Sequence, residues 1–189
     1  LRDDGFAPVT LRDRSVSALR SLEDAPLEDS EETLSAYHES GHAVIAVFLG
    51  GRVLSVTISP DNDGELAPRF GDTRIAWPKR LSLRERCERS VLVALAGPVA
   101  ERIYREEPFH PGMVAEWAED WRVAWEAAAT LASDERKRLR FLEATAVKLD
   151  EWLRREAMWA AVAALADELS AHETLDADQV SEVVATWLG

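Results

Sequence analysis

Apolar residues recur every three or four positions over 33–49. Leu34, His38, His42, Ile45 and Leu49 fall on one side of a helix that Gly50-Gly51 would close. The period then shortens to two. Over 53–59, Val53, Ser55, Thr57 and Ser59 alternate with Leu54, Val56 and Ile58, which predicts a half-buried strand. Asp61-Asn62-Asp63-Gly64 reads as a turn, and 73–77 as a second strand. Helical spacing returns afterwards. Ser82 and Glu85 form a capping-box pair that opens a helix, and Gly97-Pro98 is predicted to kink or divide it. Further helices are expected over 112–132 and over 133–171, the latter with room for a bend. A last one runs from Asp176, capped with Gln179, to Leu188.

Residues 1–32 lack such a pattern. They are acidic, carry Pro8 and Pro26, and read as a flexible lead-in with a short helix near 16–22. The expected organisation is therefore a lead-in, 1–32, and one domain, 33–189. The expected fold class is mainly α (α+β), with a small β-hairpin or short sheet after the first long helix.

Composition narrows the function classes. The chain has 189 residues, 47% of them hydrophobic and 30% charged, enough apolar surface for one compact core. A formal net charge of −13 argues against nucleic acid as a partner, because phosphate binding needs basic surface. Cys87 is the single cysteine, so no internal disulfide can form. The run 43–49 is too short to span a bilayer, and residues 1–20 have no signal-peptide pattern. A bacterial cytoplasmic location is the expectation, with abundant arginine and alanine and scarce lysine pointing to a GC-rich genome. The phosphate-loop pattern G-x-x-x-x-G-K-[ST] is absent, so this sequence carries no P-loop ATPase.

The chemistry is concentrated at His38-Glu39-Ser40-Gly41-His42, an H-E-x-x-H sequence. On a helix the two imidazoles stand one turn apart on the same face and can share a metal ion. Glu39, offset by one residue, can sit beside a metal-activated water as a general base without ligating. Two histidines hydrogen-bonded inside a helix would be the plain alternative. Unpaired imidazoles on the apolar stripe of Leu34, Ile45 and Leu49 would be costly, which favours a metal.

A catalytic zinc site takes a third protein ligand and leaves a position for water. The candidates are Glu101, His110, Glu116, Glu119 and Asp120. Asp120 is the one charge on the stripe Met113, Trp117, Asp120, Ala124, Ala127, Leu131. A ligand role and a salt bridge to an arginine both fit it. Glu119 groups with Glu116, Arg122 and Glu126 on a solvated face. Glu101, flanked by Ala94, Pro98 and Tyr104, can point inward as a ligand or as a partner to a ligand histidine's free N–H; an exposed helix acid fits the same position. His110 and His172 read as solvent-facing, Cys87 lies in a polar stretch, and Trp117, Trp121 and Trp125 read as core packing.

Four segments in order resemble the peptidase domain of the FtsH-type AAA+ zinc metalloproteases. These are Ala36-Tyr37-His38-Glu39-Ser40-Gly41-His42-Ala43, Leu95-Ala96-Gly97 with Ala100-Glu101, Glu119-Asp120-Trp121 with Ala124, and Glu173-Thr174-Leu175-Asp176. The resemblance implies a zincin-like helical peptidase domain with one Zn2+ on His38, His42 and Asp120. It makes Glu39 the general base and Glu101 a supporting acid. It also implies a protein or peptide substrate added along the edge of the strand holding Val53, Ser55 and Thr57, and a separate ATPase chain or a homo-oligomer as partner. Pro98 stands where the family has arginine, Gly112-Met113-Val114-Ala115-Glu116 replaces its Thr-Gly-Ala-Ser stretch, and its long loop after the aspartate helix is largely deleted.

The expected function is thus a zinc-dependent endopeptidase acting on flexible or unfolded protein, with no ATP use in this chain. The alternatives are a zinc-stabilised, non-catalytic interaction or regulatory domain, and a zincin of another lineage such as the compact repressor-cleaving metalloproteases.

Overall fold

A computed structural model of the chain describes residues 30–59, 71–106 and 117–189. The lead-in helix near 16–22, the turn at 61–64, His110 and Glu116 lie outside these residues. Among the described residues the fold is mainly helical with one small antiparallel sheet.

Helix α1 (Glu31–Phe48) starts at its N-cap Ser30, whose hydroxyl accepts the Thr33 amide at 3.1 Å, with Glu31 and Glu32 in the favourable first turn. From Glu39 to Ala46 every residue is buried, so α1 is the central helix, not a surface one. It packs against α2 (Leu83–Arg105), α5 (Glu156–His172) and the sheet. The Ser82–Glu85 capping box of α2 forms as the sequence suggests. Pro98 does not divide α2: the helix continues through it, buried from Val93 to Glu101. Packing around that segment outweighs the one backbone hydrogen bond that proline removes.

Helices α3 (Trp117–Ala129) and α4 (Glu135–Leu153) follow, α4 capped by Asp134. The long helical stretch expected over 133–171 is two helices, with Arg155 as the N-cap of α5. Glu173 ends α5 with φ 59°, and the Asp176–Gln179 capping box opens α6 (Ala177–Leu188).

The sheet corrects two expectations. Strands β1 (Arg52–Thr57) and β2 (Asp72–Ala76) pair antiparallel, but a bulge between Val53 and Ser55 breaks the strict alternation. Val53 and Val56, on opposite sides of an ideal strand, are therefore both buried, and Leu54 is left exposed. The third strand, β3 (Thr174–Asp176), pairs with β1 through Ser55–Asp176 and Thr57–Thr174, giving the order β2-β1-β3. The strand of Val53, Ser55 and Thr57 is thus the middle one. Its backbone is paired on both sides at Ser55 and Thr57, so it does not offer those residues as an edge to a peptide. Three residues were too few for a strand signal to show in the sequence of β3.

The helix crossing that holds the motif is tight. A Cβ on Gly41 would lie 2.6 Å from both Ala100 Cβ and the Ala96 carbonyl oxygen, so α1 and α2 meet backbone to backbone there. Alanine is the better helix former by about 1 kcal/mol, but at Gly41 it would force the two helices apart. We expect Gly41→Ala to destabilise the fold by about 1–2 kcal/mol net, read by denaturant melts; unchanged stability would mean that the two helices can part there without cost.

Candidate metal centre

Three helices supply the centre. His38 and His42 come from adjacent turns of α1, Asp120 from the first turn of α3, and Glu101 from the buried second half of α2. One donor atom from each of His38, His42 and Asp120 lies within 4.8 Å of the others. His38 Nε2 is 2.9 Å from Asp120 Oδ2, and His42 Nε2 is 3.4 Å from Asp120 Oδ1. The rings stand edge to face, 4.8 Å between centroids.

The outer nitrogens are committed elsewhere. His42 Nδ1 donates to the Val93 carbonyl at 2.7 Å, and His38 Nδ1 donates to Glu101 Oε2 at 3.0 Å. Both bonds place a proton on Nδ1, so Nε2 of each ring faces Asp120, with a proton when the ring is charged and a lone pair when it is neutral. Glu101 is 4% exposed and satisfied on both oxygens. Oε2 also accepts the Trp117 indole N–H at 2.7 Å, and Oε1 pairs with Arg105 at 2.7 Å.

Charges follow this geometry. Burial alone would lower the His38 pKa, but the hydrogen bonds to Asp120 and Glu101 and the charges of Asp120 and Glu39 outweigh it and push it up to about 10. His42 is raised as well: burial opposes the shift, and the Asp120 carboxylate drives it. Asp120 is held well below the usual carboxylate range by the two imidazolium groups, against the effect of burial. Glu101 is also lowered despite burial, by its bonds to His38 and Trp117 and the charge of Arg105. Without a metal, protons fill the space between the imidazoles and the carboxylate.

The same three groups could hold a divalent cation instead. Two imidazole nitrogens and one carboxylate are a donor set that zinc accepts, with a position left for water. The floor of the cradle is Gly97. A Cβ there would lie 2.4 Å from His42 Nε2 and 2.8 Å from His38 Nε2, filling the space that both ligand nitrogens face. Only a residue without a side chain leaves that space open.

Glu39 is 7% exposed and close enough for its charge to act on both histidines. Its Oε2 accepts the Thr73 hydroxyl at 2.5 Å, and Gly71 is close enough that a Cβ would strike the carboxylate. Thus β2 lies against the motif helix at its glutamate.

His38, Glu39, His42, Glu101 and Asp120 are therefore brought together. Glu119 instead binds Arg122 on the solvated face of α3, together with Glu126. His172 is exposed beside Glu168, and Cys87 is half-buried. Sequence reasoning missed Thr73, Gly97, Arg105 and the bonding role of Trp117. Trp117 carried a signal, since it precedes Asp120 by one turn on the same stripe; Thr73 carried none.

The protonated cluster gives a pH dependence. Folded His38 holds its proton up to about pH 10, against an ordinary value of 6.5. Its ion pairs therefore stabilise the metal-free fold fully below pH 6.5 and are lost as pH rises towards 10. Chelator-treated protein should melt at progressively lower temperature across that interval, and zinc-loaded protein should lose less. A flat or rising curve for the chelated protein would contradict the cluster. No protein-family model and no curated protein matches this chain.

Proposed function

We propose that this chain is a zinc-dependent endopeptidase for flexible or unfolded protein. The observation that carries the reading is a donor set of buried His42 with half-buried His38 and Asp120, and a buried Glu39 near enough for its charge to act on both histidines. A purely structural zinc site needs no such base and normally uses a fourth protein ligand. Zinc, when bound, supplies a Lewis acid that makes hydroxide available at a pH of about 7 and offsets negative charge on a carbonyl oxygen.

The chain's own residues do the rest. Asp120 neutralises one of the cation's two charges. Val93 and Glu101 fix the tautomers of His42 and His38 so that both present Nε2. Glu39 takes a proton from the attacking water on a carboxylate oxygen and returns it to the departing amine. The Thr73 hydroxyl on Oε2 holds that carboxylate in one orientation. An extended peptide would pair with β2, whose outer side carries no strand among the described residues and whose Thr73 already touches Glu39. Among the described residues no helix is long and apolar enough to cross a membrane.

Glu39→Gln preserves shape and the Thr73 contact but removes the base. Zinc-loaded parent should cleave casein, while Glu39→Gln should lose at least about 100-fold in rate, the scale of general-base catalysis, with zinc content unchanged. Loss of zinc from the variant would contradict the role given to Glu39. Cleavage by neither protein, with zinc bound to both, would move the reading to a zinc-stabilised interaction domain.

A further inference from the structure

Asp120 is the one proposed ligand of the three that α1 does not carry, so its place depends on how α3 docks on α2. The fully buried side chains of α3 are Trp117, Ala124 and Ala128. The two alanines supply contact but no direction. Trp117 supplies both: its ring is 2% exposed, and its N–H points at Glu101 Oε2, the oxygen that holds His38 Nδ1. The connections close a ring. Asp120 bonds His38, His38 bonds Glu101, Glu101 bonds Trp117, and Trp117 returns to Asp120 through one turn of α3.

We propose that Trp117 is a positioning residue of the metal centre, which acts through Glu101 to hold the Asp120 ligand and the His38 imidazole in register. The inference rests on the reading of His38, His42 and Asp120 as ligands. Arg105 serves the same carboxylate from its other side, at Oε1. Glu101 thus ties together all three helices that form the centre, with the indole and the guanidinium fixing its two oxygens. Removing the indole N–H takes one of its two donors from Oε2 and releases the bond that ties Trp117 of α3 to Glu101 of α2. The metal should then be bound less tightly, although it touches neither group.

The test is zinc affinity of the full chain, measured by competition with a chromophoric chelator, together with the visible spectrum of the cobalt-substituted protein. Trp117→Phe keeps the apolar bulk and deletes the N–H. Its zinc affinity should fall by about tenfold, the lower end of what loss of an outer partner costs, and its cobalt bands should shift. Trp125→Phe, two turns along α3 and without a bond to Glu101, should bind like the parent. Trp117→Phe added to Glu101→Gln should cost no further affinity, since its effect passes through that carboxylate. Arg105→Gln, which leaves α3 untouched, should also weaken zinc; it carries the test if Trp117→Phe does not fold. Parent-like affinity and spectrum in Trp117→Phe, or in Arg105→Gln should Trp117→Phe not fold, would overturn the inference and leave the ligand reading standing. A parent that binds no zinc would overturn the ligand reading and this inference with it.

Discussion

Two imidazoles and a carboxylate, held largely out of water at hydrogen-bonding distance, cannot remain there without positive charge between them. Burial works against every charged form present: it lowers the histidine pKa values and raises those of Asp120 and Glu101. Their mutual attraction reverses each of these tendencies. Either protons or a metal ion must therefore occupy the space above Gly97, and the two compete for the same Nε2 lone pairs. The surrounding fold can be understood as the means of bringing these groups together and of keeping the space between them clear.

Small residues make that possible. Gly41 and Ala100 let α1 and α2 cross with backbones in contact, and Gly97 opens the cradle one turn earlier along α2. The same crossing puts Glu101 behind His38 and the Val93 carbonyl behind His42, so one helix supplies both outer partners of the ligand histidines. Strand β2 then approaches from the other side and sets the Thr73 hydroxyl on Glu39. The His38–His42–Asp120 group joins α1 to α3, the bonds of Glu101 and Val93 to the histidines join α1 to α2, and the Thr73–Glu39 bond joins α1 to β2.

Much of this was legible in the sequence because it is local. The H-E-x-x-H spacing needs only one helix turn, and Asp120 stood out as the lone charge on an apolar stripe. The Ser82 and Asp176 caps need only three residues each, and both formed as expected. What the sequence hid depends on contacts far along the chain. The pairing of Ser55 with Asp176 made β1 a middle strand and removed it as a peptide edge. The bulge at Leu54 upset a clean alternation, and the packing around Pro98 kept α2 in one piece. Trp117 read as core packing, and it is buried; its bond to Glu101 joins residues on separate helices, which no local pattern reveals.

X-ray absorption at the zinc edge of the loaded protein reads the proposed ligand set. One zinc per chain is expected, with nitrogen and oxygen as its only neighbours. Two imidazole nitrogens should lie at about 2.0–2.1 Å and a carboxylate oxygen at about 2.0–2.2 Å. A sulfur neighbour at about 2.3 Å, which only Cys87 or a methionine could supply, or a shell lacking imidazole, would contradict it.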